Sequence, residues 1–214
     1  MDAASRDVPF YANPDDTHCF QAAIRMVVKC FRPAEEYSWT QLDAITGKVD
    51  GYGTWPFAGL MWLHEQGLDV RNIELMDNSR FAREGRSYVA EFCPELAAPL
   101  PPDLSSEQTA AARFVKLVRC ETRIPDLDDV RDFLAAGYLA ICNVNSRLLN
   151  GRDGYMGHFV VVTSCDATGL VLHDPGPPGE ARRRVPIGTF EKAWAYPTER
   201  VKSLVAVRPQ PRRL

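Results

Sequence analysis

The chain has 214 residues, and no run of about 18 apolar residues occurs in it, so no membrane-spanning helix is expected. Its opening stretch, MDAASRDVPF, lacks the apolar centre of a secretory signal. The expected location is therefore the cytoplasm. There is no basic arm and no basic–aromatic stripe, and the net charge is −3, which argues against nucleic acid as a partner. The one basic run, ARRRV at 181–185, reads as a solvated strand end or loop. None of the six cysteines forms a C-x-x-C pair, and their gaps are wide and irregular. That spacing argues against a zinc site and gives no disulfide framework. Cys30, Cys93, Cys120, Cys142 and Cys165 are assigned to packing as small apolar groups. No cofactor is implied, and the chain carries no phosphate-binding P-loop motif and no transporter segment. Internal repeats and low-complexity tracts are also missing.

What remains is ordinary globular composition, 45% hydrophobic and 25% charged. The length suits a single domain, 1–214, able to bury a core without disulfide or metal staples. Apolar residues Phe20, Ala23, Ile24, Val27, Val28 and Phe31 recur at helical spacing, with turn and capping residues just upstream and Pro33 just beyond. Further helices are expected over 38–46 (Ser38 as cap, Gly47 as stop), 56–65, 77–92, 105–120 with Ser105 as cap, and 126–136 ended by Gly137. DVRNIEL at 69–75 has the pattern of a strand. The proline-rich CPELAAPLPPDL at 93–104 is a loop or crossing segment, and about 76–125 is expected to form a helical insertion or lid. Strands dominate the last third: YLAICNVN, then HFVVVTSC and LVLHD joined by a turn at 166–169, then SLVAVRP. Helices first and antiparallel strands later is the α+β pattern.

Three local stretches carry chemistry. In NPDDTHCFQAA, Cys19 stands where the first helix begins. A helix N-terminus carries about half a positive charge and unpaired N–H groups, which favour thiolate over thiol and suit an oxyanion. Taken alone, a cysteine there is more often a packing residue. In GYMGHFVVV, His158 opens a buried strand beside Gly157, which permits a close approach of backbone or substrate. A cysteine nucleophile needs such a base. In VLHDPGPPG, Asp174 ends the strand that pairs with the His158 strand. It is placed to accept a hydrogen bond from the imidazole Nδ1–H, or else to cap the Pro-Gly turn. His173 faces the other side of its strand and is left structural. His18, adjacent to Cys19, is badly oriented to serve as a base. Asn143 and Asn145 read as strand-end hydrogen-bonding residues, with a cleft-lining role as the alternative.

Taken together, NPDDTHCFQAA, GHFVVV and LHDPGPPG resemble the cysteine, histidine and aspartate blocks of cysteine peptidase family thirty-nine. That is the papain-like family of double-glycine leader peptidases that process bacteriocins, and of their stand-alone relatives. The resemblance covers roughly 9–31 and 138–197. It implies a papain-like α+β fold, with a helical lobe carrying the cysteine packed on an antiparallel sheet. It also implies Cys19 as nucleophile, His158 as general base and acid, and Asp174 as orienting carboxylate. The glutamine six residues before the cysteine, which commonly helps form the family's oxyanion hole, is replaced by Asn13, whose amide donates the same hydrogen bond from one methylene less. The family's Cys-Gly-Pro is replaced by Cys19-Phe20-Gln21, and Gln21 is a weaker candidate for the oxyanion donor. The expected activity is cleavage of an amide or peptide bond through a thioester, on a peptide or small amide substrate. Two alternatives stand beside it: a peptide-binding module without catalysis, and an acyltransferase that hands the acyl group to an amine.

Overall fold

The computed structural model describes residues 7–210. Residues 1–6 and 211–214, and with them part of the N-terminal stretch and both ends of the expected 1–214 domain, lie outside the described residues. The first lobe is helical: α1 (Cys19–Phe31), α2 (Trp39–Thr46) and α3 (Phe57–Glu65). After β1 (Leu68–Glu74) come α4 (Asn78–Glu84), α5 (Arg86–Phe92), the short α6 (Pro94–Ala97) and α7 (Ser105–Leu117). Next are β2 (Arg119–Thr122), α8 (Leu127–Ala135), β3 (Leu139–Asn145), the single turn α9 (Ser146–Leu149), β4 (Gly157–Cys165), β5 (Gly169–Asp174), β6 (Glu180–Pro186), α10 (Ile187–Trp194) and β7 (Ser203–Pro209).

Local chemistry accounts for several boundaries. Ser38 and Gln41 form a reciprocal capping box on α2, and Gly47 ends it at φ 64°, a left-handed turn that only glycine adopts without strain. Asp126 and Asp129 cap α8 in the same way. Asp166 Oδ1 accepts from the N–H of Thr168 and of Gly169, which closes the β4–β5 hairpin. The helix expected from Ser105 to Cys120 has Ser105 as its first helical residue and not as its cap, Leu104 standing at the N-cap position without a side-chain bond, and it stops at Leu117. Arg119 and Cys120 belong instead to β2.

The seven strands form one sheet in the order β2-β1-β7-β3-β4-β5-β6. All neighbours are antiparallel except β1 and β2, which run parallel, so the expected antiparallel sheet is mixed at one edge. The parallel pair follows from the crossover through α4–α7, since parallel neighbours need a long connection. That segment, 76–125, is packed into the helical lobe: Phe81 stacks on Trp55 and Phe57, and Phe114 lies against Phe57.

Both faces of the sheet are covered. Leu139, Ile141 and Val161 join the core beneath α1 and α3, while Ala140, Cys142, Val144, Val160 and Val162 join a second core with α8 and α10. The two-residue strand period sends alternate side chains to opposite cores, so β3 and β4 read as unbroken apolar runs. Helix α1 is buried almost all round, with Phe20, Ala23, Ile24, Met26 and Val27 at 0–1% exposure. Burying each of its larger side chains contributes roughly 1.5–3 kcal/mol. This packing fixes the start of α1 against the sheet.

Candidate active site

Cys19 is the first residue of α1, and its N-cap, His18, makes no side-chain capping bond. The first intrahelical acceptor is His18 O, which takes Ala22 N–H at 2.9 Å. The N–H groups of the first turn therefore remain for the sulfur and for whatever meets it. Cys19 as a residue is partly exposed. Its enclosure by protein pushes the pKa up, but the hydrogen bond and the charge of His158, with the N–H groups of Phe159 and Phe20, outweigh this. The result lies below the ordinary thiol value. Cys93, Cys120, Cys142 and Cys165 are shifted the other way, each primarily by burial; Cys120 rises to about 11.

His158 is the second residue of β4 and is buried. Alternation from Val160 and Val162 gives its side chain the same face of the sheet as Leu170, Leu172 and therefore Asp174. Its Nε2 lies 2.7 Å from Asp174 Oδ1. The nitrogen expected to face the carboxylate was Nδ1. The structure uses Nε2, which leaves Nδ1 clear of that carboxylate. Burial lowers the imidazole pKa, but the hydrogen bonds and charges of Asp174 and Cys19 more than compensate and raise it to about 9. The two shifts have opposite sign, and each favours the charged form of its group.

Asp174 is buried, and its two oxygens have separate partners. Oδ1 meets His158 Nε2 and accepts the Gly176 N–H at 3.0 Å, while Oδ2 accepts Arg183 Nη1 at 2.6 Å. Burial pushes its pKa up, but the His158 hydrogen bond, then Gly176 and Arg183, hold it below the usual carboxylate value. Arg183 is the middle of the run read as solvated. Arg184 is exposed, but Arg183 turns inward, because the strand period places it with buried Val185. This contact was missed; the readable signal was the period itself, which separates the middle arginine from its neighbours.

Asn13 is buried and ties two distant segments together. Its N–H donates to Pro175 O at 2.8 Å and its Nδ2 to Gly176 O at 3.0 Å. Its Oδ1 accepts from His18 N–H at 3.1 Å and more weakly from Asp15 N–H at 3.3 Å. One Nδ2 proton stands without a hydrogen-bond partner among the described residues. Gln21 is fully buried and donates to Thr46 Oγ1 at 2.8 Å and Thr54 Oγ1 at 3.0 Å, so it links α1 to α2 and the following loop and does not face an oxyanion.

His18 is held by carboxylates, Nδ1 2.7 Å from Asp15 Oδ1 and Nε2 3.1 Å from Asp43 Oδ1. His173 is on the opposite face from Asp174, its Nε2 at 2.8 Å from Val8 O and its Nδ1 accepting from Arg182 N–H at 3.0 Å. Asn145 is a loop organiser: its Oδ1 accepts from Arg147 and Met156 N–H, and its Nδ2 donates to Gly154 O. Asn143 Oδ1 accepts the His158 N–H at 3.1 Å and so fixes the backbone of the histidine. A Cβ on Gly157 would come 2.9 Å from Tyr155 Oη, so the protein's own tyrosine, and no second backbone, takes up the space beside it.

Among the described residues, no helix is long and apolar enough to cross a membrane, and no cluster of three or more His, Cys, Asp or Glu is placed to hold a metal ion. Neither family models nor curated protein sequences match the chain. The fold is similar to the peptidase domain of Streptococcus ComA, a bi-functional ABC transporter involved in a quorum-sensing pathway. The TM-score is 0.56 at 14% identity, covering 95% of this chain and 100% of that one. A Bacillus anthracis protein described as a C39-like peptidase aligns at 12% identity over 96% of this chain and 97% of its own, with a TM-score of 0.47. At 14% identity the likeness to the ComA peptidase domain is one of fold, papain-like α+β.

Proposed function

We propose that this chain is a single-domain, cytoplasmic cysteine hydrolase of the C39-like kind, cleaving an amide or peptide bond through a thioester. One observation carries the reading. A partly exposed cysteine at a helix start, its thiol pKa lowered mainly by His158, is joined with an imidazole whose Nε2 lies 2.7 Å from a buried carboxylate. Nucleophile, base and orienting group stand in the order that such catalysis requires.

In this reading the Cys19 thiolate attacks the substrate carbonyl carbon, and the carbonyl π electrons move to oxygen. The oxyanion is held by N–H groups at the start of α1 and by the remaining Nδ2 proton of Asn13. His158 gives its Nδ1 proton to the leaving amine as the C–N bond breaks. The neutral imidazole then takes a proton from water, the hydroxide adds to the thioester, and Cys19 leaves as thiolate. Asp174 holds the ring at Nε2 throughout and stabilises its protonated form.

The test is alkylation by iodoacetamide across pH, with the modified residue mapped by mass spectrometry and Cys19→Ala as control. Cys19 is expected to react at pH values below the ordinary thiol range, where the other five cysteines stay unmodified. A Cys19 no faster than a thiol in the unfolded chain overturns the reading.

A further inference from the structure

We infer that Arg183 is a positioning residue for the Cys19–His158 pair, acting through Asp174; this rests on the hydrolase reading above. Asp174 Oδ2 points away from His158 and is met by Arg183 Nη1 at 2.6 Å, in an environment where the two side chains are 4% and 17% exposed. The guanidinium is held from behind, because its Nη2 donates to Leu149 O at 2.8 Å. Its Nε is 3.6 Å from Glu180 Oε2. The carboxylate is thus gripped at both oxygens. Turning it about its Cβ–Cγ bond would break the His158 contact and the Arg183 contact together. A planar fork suits this task better than a lysine, which is a point charge on a flexible stem.

The backbone is built to deliver this contact. In the β5–β6 ladder Leu172 pairs with Arg183 while Asp174 pairs with Glu180, so Ala181 and Arg182 together stand opposite His173. Arg182 sits at φ 54°, the one described non-glycine residue with positive φ, and its N–H donates to His173 Nδ1 at 3.0 Å. A bulge re-aims the side chains on its strand, and a left-handed non-glycine residue is a strained conformation that persists only where surrounding contacts hold it. Here the bulge sets Arg183 beside Asp174 in place of a simple ladder partner. Loss of the fork would leave one carboxylate oxygen buried and unpaired, favouring a protonated or rotated Asp174. The imidazolium would lose its counter-ion, and the thiolate would lose its imidazolium in turn.

The experiment measures the iodoacetamide rate at Cys19 against pH, together with melting temperature. It compares wild type, Arg183→Gln, Arg183→Lys, Asp174→Asn and the double variant Arg183→Gln/Asp174→Asn. Arg183→Gln is expected to move the acid limb of alkylation up by about one pH unit, which slows reaction below the limb about tenfold. Arg183→Lys is expected to move it the same way by less, and serves alone if the glutamine variant does not fold. In the Asp174→Asn background Arg183→Gln should move the limb no further, because the two act as one unit. A wild-type limb in either Arg183 variant, whatever happens to melting temperature, overturns the inference. So does a full, additive shift in the Asp174→Asn background. Failure of the hydrolase reading appears separately, as an unreactive Cys19 in the wild type itself.

Discussion

The rings of Phe20 and Phe159 lie 4.8 Å apart, so the residues that directly follow the sulfur and the imidazole in sequence are themselves in contact. The meeting of thiol and imidazole is therefore part of the core packing between α1 and β4. A disturbance of this apolar contact should reach the chemistry without touching either reacting group.

Gly59 provides the means. A Cβ there would fall 2.7 Å from Phe20 Cε1 and 3.2 Å from Thr46 Cγ2, with Phe20 fully buried. Alanine in place of a helical glycine gains roughly 1 kcal/mol in propensity, but overpacking a full core costs about 1–3 kcal/mol. Gly59→Ala is expected to melt lower than wild type and to slow Cys19 alkylation by displacing Phe20. A variant that melts higher at unchanged alkylation rate would show that the contact gives way freely.

Asn13 should separate turnover from thiol reactivity. Alkylation by iodoacetamide forms no oxyanion, whereas acyl transfer does. Loss of one oxyanion donor lowers kcat about 10²–10³-fold. Asn13→Ala is expected to lose turnover on that scale while retaining alkylation within a few-fold. If alkylation falls equally, Asn13 serves only as the staple to Pro175 and Gly176.

The pH dependence has a defined sign. Cys19 ionises below the ordinary thiol range, and His158 keeps its proton up to about 9. Turnover on an amide substrate should rise on the acid side as the thiolate forms. It should fall as pH passes about 9, where His158 can no longer protonate the leaving amine. Alkylation needs only the thiolate, so its profile should rise on the acid side and stay high. A turnover maximum with no alkaline limb would remove His158 from the general-acid role.

Glu74 offers a prediction about stability away from the site. It accepts at Oε1 from Asn72 Nδ2 at 2.7 Å and from Asn78 Nδ2 at 2.6 Å, and burial raises its pKa despite both bonds. A carboxylate with a raised folded pKa favours the folded state most at low pH, and that contribution is lost as pH rises through its titration. Glu74→Gln keeps an oxygen acceptor for both amides and removes the partly buried charge. It should raise the melting temperature at pH 8 by about 2–4 °C for each kcal/mol recovered, and by less at pH 4. Equal shifts at the two pH values would rule out ionisation as the cause.

What could be read from the sequence was what local spacing determines. Ser38 and Gly47 marked both ends of α2, Asp166 marked its hairpin, and Cys19 stood at a helix start. The side of the strand taken by His173 followed from period alone. The rest depends on register between strands. Which ring nitrogen meets Asp174 is a matter of side-chain rotation that no spacing encodes. The face taken by Arg183 follows from the period it shares with Val185, but the bulge at Arg182, which pairs Asp174 with Glu180, is not announced by a run of three arginines. The bonds from Asn13 to Pro175 and Gly176 join positions more than 160 residues apart. Arg119 and Cys120, the first half of β2, fell within the expected helix because RCET carries no alternation strong enough to oppose the helical pattern before it.

The position of β7 bears on how the molecule is made. It is the last strand in sequence, yet it lies third in the sheet, between β1 and β3. On a ribosome, β1 and β3 must both wait, each with an open edge, until residues 203–209 emerge to join them. The nascent chain therefore passes through a stage with two unjoined sheet fragments, the stage at which a chaperone would have most to protect.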